Sequence, residues 1–323
     1  MITVLITGVG STPSQCAIKA LRQSSLRLRV VGTDFNPANT IAGSAFCDAF
    51  YQVPPATCAE FIPTLLEICR REKAQVLIPV IDEELPSVAS AIHQFESDNV
   101  KVAASPVDVL KIVMDKYRFP CWLSNAGFSA PKTSLLDDEK SLASFVFPAM
   151  MKPRFGRSSI SVVRVDCLRE VWEVKKKHPE VEFVVQERCD GIEYTCDVVV
   201  NNCGEVLGVV PRRRLEVRAG IIYKGFTELN KQLIDLTGEI CRKVGVRYAA
   251  NVQFIVTRHG PQCIELNPRF SGGLALTVAA GFNIPEVVVR LAMDLPVEPL
   301  RKFRQLFMAR YWSEVFYPME SQQ

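Results

Sequence analysis

The sequence predicts an α/β chain that passes into α+β. Three observations carry this expectation. In residues 2–104 short apolar runs alternate with amphipathic helical stretches, which reads as an open parallel sheet built from right-handed βαβ units. From residue 147 onward several apolar runs are separated by tight turns, which reads as an antiparallel meander. Residues 251–267 hold two apolar–polar runs around a Gly-containing turn, the pattern of a β-hairpin.

The chain has 323 residues, enough for two or three compact units with real cores. Hydrophobic residues make up 48% and charged residues 23%, an ordinary balance for a globular protein. The net charge of +3 is too small to argue for a nucleic-acid partner, and none is expected. No apolar run is long enough to span a membrane. Met1-Ile2-Thr3-Val4-Leu5-Ile6 lacks basic residues ahead of its apolar run, so it reads as a first strand and not as a secretion signal. A cytoplasmic location is the expectation. The eleven cysteines include no Cys-x-x-Cys pair, and Cys189, Cys196 and Cys203 lie seven apart. Reduced, mostly buried thiols are expected, with neither a disulfide framework nor zinc.

Residues 2–7 end in Gly8-Val9-Gly10-Ser11-Thr12-Pro13, and a helix should follow from Pro13 to Gln23, with Cys16, Ala17, Ala20 and Leu21 inward. Leu28–Asp34 is the next strand. The turn resembles a dinucleotide fingerprint with Asp34 near the ribose position, but Pro13 stands where the third glycine belongs, so NAD is not expected. Phe61–Glu72 reads as an amphipathic helix and Gln75–Val80 as a buried strand. Asp82-Glu83-Glu84 then either faces a ligand crevice or caps the helix from Leu85, and capping is the expectation. Lys101–Ala104 is a short closing strand.

Ser105-Pro106 marks a boundary. Residues 107–126 are expected to form one helix with Asp115 to Phe119 in its middle, broken or kinked at Pro120. Asp137–Phe145 is a short helix, and Phe147–Pro153 a strand with Lys152 at its exit. The loop Arg154-Phe155-Gly156-Arg157-Ser158-Ser159 has the backbone N–H groups, hydroxyls and charge to wrap a triphosphate, a solvated turn being the plain alternative. Ser161–Val165 is a strand. Leu168–Lys177 is a helix whose Lys175-Lys176-Lys177 end suits the helix dipole.

Glu182–Glu187, Glu193–Val200 and Val206–Val210 form the meander. Arg212, Arg213, Arg214 and Arg218 follow, either a solvated edge that blocks pairing or a grip on an anionic substrate. Leu229–Val244 is a helix stopped by Gly245. Gly272-Gly273 leads a small-residue helix ending at Gly281, Pro285 opens another to Met293, and Phe307–Trp312 fits an edge strand. No internal repeat and no Walker A phosphate loop occurs.

In the hairpin, a loop of Arg258-His259-Gly260 would set 257 opposite 261, 255 opposite 263, 253 opposite 265 and 251 opposite 267. Asn251, Gln253, Glu265 and Asn267 then share a polar face, with Val252, Phe254, Ile264 and Leu266 behind. One carboxylate with amide oxygens could form an oxygen-rich Mg²⁺ site, and Arg269 lies just beyond, where a guanidinium could hold a phosphate. Taken alone, the hairpin fits an ordinary solvated face at least as well.

The order of pieces is more specific: Asp115-Lys116, Met151-Lys152-Pro153, Val185-Gln186-Glu187, Glu193-Tyr194, Asn251-Val252-Gln253-Phe254, then Glu265-Leu266-Asn267-Pro268-Arg269. This order resembles the ATP-grasp superfamily. It is most similar to one ATP-grasp unit of the carbamoyl phosphate synthase large subunit, over residues 1–295. The resemblance implies a pre-ATP-grasp α/β domain at 1–105 and a two-lobed ATP-grasp domain, with a small lobe at 106–180, a C-terminal lobe at 181–300 and a tail at 301–323.

It further implies that Lys116 and Lys152 contact ATP phosphates, Glu187 meets the adenine and Glu193 the ribose. Gln253, Glu265 and Asn267 would hold Mg²⁺ (or Mn²⁺), and Arg269 would stabilise the transferred phosphoryl group with Lys152 and Asn267 beside it. Arg212, Arg214 and Arg218 are the candidates for a substrate carboxylate. The implied activity is ligation of a carboxylate, activated as its acyl-phosphate, to an amine, with ADP and phosphate released. Small-molecule or peptide substrates and a homodimer are expected. Two departures stand out: the loop after Lys152 has only Gly156, and the chain holds one unit where the synthase has two, so carbamoyl phosphate is not the expected product. The competing expectations are a non-catalytic Mg-ATP-binding module and, more remotely, a dehydrogenase using the first α/β unit.

Overall fold

The structure, a computed structural model, describes residues 1–137, 139–156 and 162–318. The N-terminal region runs β1 (Ile2–Ile6), α1 (Thr12–Arg22), β2 (Leu28–Asp34), β3 (Ala49–Gln52), α2 (Phe61–Glu72), β4 (Val76–Ile78), α3 (Leu85–Ser90), α4 (Ile92–Ser97) and β5 (Lys101–Val102). These strands form a five-stranded parallel sheet in the order β3-β2-β1-β4-β5. The order reverses between β1 and β4, the place where open α/β sheets leave a crevice at their carboxyl ends. Ser11 caps α1 by accepting from the Ser14 amide at 3.4 Å. Asp34 is spent inside this region: its carboxylate accepts from Gly10 N at 2.7 Å and from Asn36.

The middle of the chain carries α5 (Val107–Val113), α6 (Arg118–Asn125), β6 (Thr133–Leu135), α7 (Glu139–Ala143), β7 (Ala149–Pro153), β8 (Val163–Val165), α8 (Leu168–Lys177) and β9 (Phe183–Glu187). The expected single helix over 107–126 is two, and the break falls at Met114–Tyr117, not at Pro120. Asp115 Oδ1 accepts from the amides of Tyr117 and Arg118 and so starts α6. Pro120 sits in the first turn of that helix, where a missing N–H costs nothing. Strands β6 to β9 form a four-stranded antiparallel sheet in the order β6-β9-β7-β8. Of the expected phosphate loop, Arg157, Ser158 and Ser159 lie outside the described residues.

The last part holds β10 (Ile192–Val200), β11 (Val206–Arg218), β12 (Ile221–Thr227), α9 (Lys231–Val244), β13 (Tyr248–Thr257), β14 (Gly260–Asn267), α10 (Leu274–Ala279), α11 (Ile284–Ala292) and β15 (Phe307–Ala309). Its sheet is six-stranded, in the order β14-β13-β10-β11-β12-β15. The Arg212–Arg218 stretch is an edge only in part: Arg212 and Arg213 pair on both sides, with β10 and β12, and from Arg214 to Arg218 the strand pairs with β12 alone. Ala219 and Gly220 turn β11 into β12 with φ of +47° and +76°, the signs a two-residue hairpin turn requires.

Packing divides the chain differently from its sheets. One buried cluster joins Val4, Ile6 and Ile78 of the N-terminal sheet to Val210, Phe270, Leu274 and Val288 of the C-terminal part. Helices α5 and α6 pack through Val109, Phe119 and Leu123 against Cys196, Val252 and Leu266, under the six-stranded sheet. The four-stranded sheet keeps a separate core, Leu142, Ala149, Met151, Val165, Val171 and Phe183 among it. All eleven cysteines are free; Cys69, Cys196, Cys241 and Cys263 are buried, Cys203 is exposed and the rest are half-buried, less buried than the sequence suggested. Among the described residues no helix is long and apolar enough to cross a membrane.

Candidate active site

The site is one face of the six-stranded sheet. Register sets Glu265 opposite Gln253, Gln253 opposite Thr195 and Thr195 opposite Arg212, a row across four strands. A second row sets Asn267 opposite Asn251 and Asn251 opposite Asp197. Alternation puts Val252, Phe254, Cys196, Val198 and Leu266 on the other face, in the core. The four polar hairpin residues therefore share a face as expected, and the inner half of the hairpin register is as expected.

The outer half is not. A bulge sits between Gln253 and Phe254, so Phe254 pairs with Cys263, Ile255 with Gln262 and Thr257 with Gly260. The loop is the two residues Arg258-His259, and Gly260 takes φ +111°. The bulge makes Ile264 the extra residue. Cys263 fills the core place expected for Ile264, and Ile264 turns to the site side beside Ile255.

Two cavities meet on this face. The first, about 720 Å³, lies between the four-stranded and six-stranded sheets and is lined by Lys116, Lys152, Glu187, Ile255 and Ile264, among others. The second, about 590 Å³, lies between the six-stranded sheet and the crevice of the N-terminal sheet, with Gly10–Pro13 as one wall. Glu193, Gln253 and Glu265 line both.

On the first side, Lys152 is buried and donates to Gln186 Oε1 at 2.7 Å, while Gln186 is held in turn by Thr133. Burial pushes the Lys152 ammonium down to about 8; Glu265 pulls it up and Lys116 adds to the fall. Lys116 Nζ donates to Gly156 O at 2.6 Å. Glu187 is exposed and accepts from Lys132 N at 3.3 Å. Glu193, at the junction, accepts from Arg214.

On the second side every guanidinium is paired. Arg212 meets Asp197 through a fork, Nε to Oδ2 at 2.9 Å and Nη2 to Oδ1 at 2.8 Å, both residues fully buried. Removing one partner of such a pair strands a buried charge and costs about 3–5 kcal/mol. Arg214 binds Glu193 and Gly220 O. Arg269 meets Asp82 through Nε–Oδ1 at 2.8 Å and Nη2–Oδ2 at 2.9 Å. Burial works against the Arg269 charge, Asp82 more than offsets it, and the guanidinium pKa is raised.

The acids after β4 therefore do not cap α3, which has no side-chain cap. Asp82 faces the site, and Glu84 is buried against Thr7. Arg218 is not brought into either cavity: it is exposed, ion-paired to Glu216 and stacked on Tyr223. Sequence reasoning missed Asp197, although an acid inside the run Thr195–Val200 was itself a signal, since a buried carboxylate needs a partner.

Among the described residues no three His, Cys, Asp or Glu side chains gather to hold a metal. Glu265 is the one carboxylate between the amide oxygens of Gln253 and Asn267. It accepts no side-chain hydrogen bond from a described residue, whereas Asn267 is hydrogen-bonded to Asn251 and Arg269. Such a hard oxygen set is too weakly charged to hold Mg²⁺ alone and fits an ion that arrives carrying phosphate oxygens.

The family described as "ATP-grasp in the biosynthetic pathway with Ter operon" matches residues 179–315, and the PylC-like N-terminal domain matches residues 4–103. The chain is 23% identical over 309 residues to the carbamoyl phosphate synthase large chain of Methanothrix thermoacetophila, covering 88% of this chain and 28% of that one. The chain thus spans little more than a quarter of that relative. The fold is shared with the biotin carboxylase domain of Hydrogenobacter thermophilus 2-oxoglutarate carboxylase (TM-score 0.72, 16% identity, 93% of this chain and 70% of that one). It is shared equally with the L-amino acid ligase of Bacillus licheniformis (TM-score 0.69, 16% identity, 92% and 75%). The matched regions and the fold common to more than nine-tenths of the chain agree: the chain has an ATP-grasp fold, with an ATP-grasp family matched over residues 179–315.

Proposed function

We propose that the protein is an ATP-dependent ligase that activates a carboxylate as its acyl-phosphate and joins it to an amine, releasing ADP and phosphate. The observation that carries this reading is the junction of two cavities at Glu193, Gln253 and Glu265. One cavity has lysines for a triphosphate and the other has room for a small molecule beside it. The biotin carboxylase domain named above was crystallised with MgADP and bicarbonate, which supports Mg-ATP as the nucleotide substrate here.

In this reading Lys116 and Lys152 neutralise phosphate oxygens, while Ile255, Ile264 and the backbone near Glu187 enclose the base. Gln253, Glu265 and Asn267 hold the Mg²⁺ that accompanies ATP, and Mn²⁺ suits the same oxygens. Bound there, the ion supplies charge against the β- and γ-phosphates. The substrate carboxylate attacks the γ-phosphorus, and the P–O bond to ADP breaks. The amine then attacks the acyl carbon, and phosphate leaves with the electron pair. Arg269 and Lys152 offset the negative charge that gathers on the transferred group, and a water-poor cleft strengthens each contact. Glu193 lies at the ribose end of this arrangement with Arg214 as its counter-ion. Substrates are small molecules or short peptides, and a homodimer is the proposed assembly.

We place the pre-ATP-grasp unit at 1–105. The small lobe is proposed to run from 129 to 188, because β9 belongs to its sheet and α5–α6 pack elsewhere. The tail after 300 belongs with the C-terminal lobe through β15.

The deciding experiment is phosphate release from Mg-ATP across a matrix of carboxylates and amines. Release that requires one acid and one amine together supports the ligase. One observation favours a binding module instead, since Asp82 engages two of the Arg269 nitrogens. Tight Mg-ATP binding with no acid-dependent release would select that alternative.

A further inference from the structure

The second cavity carries a finer message about what enters it. Arg212 uses Nε and both Nη2 hydrogens on Asp197 and Ser271, so three of its five N–H groups are spent. Among the described residues Nη1 has no partner. It lies against Gly273, where an added methyl group would come within 1.9 Å. The cavity reaches it there, since Arg212 and Gly273 both line that space. Asp197 is locked as well, accepting from Thr277 besides Arg212. The result is a rigid guanidinium, held from behind, with one edge turned to the cavity.

Its place in the sheet says what that edge is for. Arg212 stands three strands from Glu265 along one row, roughly 14 Å at the usual strand spacing. A carboxylate attacking a phosphate held at Glu265 cannot also touch Arg212. The opposite wall, Gly10–Pro13, leads into the eleven-residue helix α1, whose first turn has no acid. Arg214 engages both Nη atoms, on Glu193 and Gly220 O, Arg269 is forked to Asp82 and Arg218 points elsewhere, which leaves the Nη1 edge of Arg212 as the grip.

We propose that this cavity takes a substrate bearing a second carboxylate that does not react, and that Arg212 Nη1 holds it. Asp197 is a positioning residue: it fixes the fork and touches no ligand. Gly273 is the opening that lets the carboxylate approach. The proposal rests on the reading of the first cavity as the nucleotide site, because that reading sets where the reacting end lies.

The test is calorimetric titration of the protein saturated with Mg-AMPPNP. The probes are the common L-amino acids, each against its carboxamide, and small dicarboxylates against their monoamides. The expected result is at least one acid that binds tenfold or more tighter than its amide. That preference should vanish in Gly273→Ala, and in Arg212→Gln combined with Asp197→Asn, which strands no buried charge. AMPPNP affinity should stay within threefold in both variants. Equal binding of acids and amides, no binding by any acid, or a preference that survives both variants overturns the proposal. Failure of the nucleotide reading has a separate signature: no binding of Mg-AMPPNP by the unaltered protein. The acid–amide comparison can still be run on the free protein in that case.

Discussion

The two cavities share three residues and almost nothing else. The cavity between the four-stranded and six-stranded sheets is half walled by a lobe with a core of its own, built on Ala149, Met151 and Phe183. A lobe with a separate core can swing as a unit. The other cavity lies inside a body whose N-terminal sheet and C-terminal helices share one core. Its cations are pinned by Asp82, Asp197 and Glu193, whereas Lys152 leans on a neutral amide. One side has a wall with its own core, and the other is fixed within a single shared core. Substitutions on the first side should change binding and spare stability; on the second, breaking one partner of an ion pair should cost stability as well.

The sharpest probe lies on the border. Glu265→Gln should cut turnover about a thousandfold with an unchanged melting temperature, because it removes the single carboxylate from the oxygen set. Retained activity in a steady-state phosphate assay would remove Glu265 from the metal site. Next, Asp82→Ala should lower unfolding free energy by about 2–4 kcal/mol in urea titrations, since Arg269 is left unpaired in a largely buried place. An unchanged midpoint would dissolve the contrast between the two cavities.

Lys152→Ala should weaken Mg-ATP binding by about 2–3 kcal/mol and leave the midpoint where it is. Equal affinity by calorimetry would contradict its phosphate role. The pH dependence has a definite sign. Lys152 titrates near 8, so below that pH it is already charged for phosphate. Above it the lysine must take up a proton on binding, and affinity should fall by up to about tenfold per pH unit. Titration in buffers of different ionisation heat should show proton uptake near pH 9 that Lys152→Ala lacks. The smallest effect is Ala219→Asn at the β11–β12 turn, expected to raise stability by about 0.5–1 kcal/mol because asparagine tolerates the left-handed conformation better.

Local pattern made much of this legible. Helices α1, α2, α8, α9 and α11 follow their apolar spacing to within a residue or two. The pairings of Asn251 with Asn267 and Gln253 with Glu265 match the expectation although its three-residue loop is one residue too long, because the bulge makes up the difference. The bulge itself was not legible, because Cys263 and Ile264 are both apolar and parity cannot rank them. Arg212–Arg214 resembled a solvated edge because buried arginines are rare; only the partner Asp197, fifteen residues back, explains the burial. Asp82 and Arg269 are 187 residues apart, beyond any local rule.

The shared core also bears on how the polypeptide matures. Helix α1 packs on α10 and α11, and Asn283 and Arg290 bond Ala20 O and Ser25. Helix α1 thus carries an apolar stripe whose natural cover, α10 and α11, is translated only after residue 270. That segment must wait, shielded by a chaperone or loosely collapsed, until residues beyond 270 emerge. A nascent chain stalled at residue 250 should accordingly be far more protease-sensitive near α1 than the finished protein.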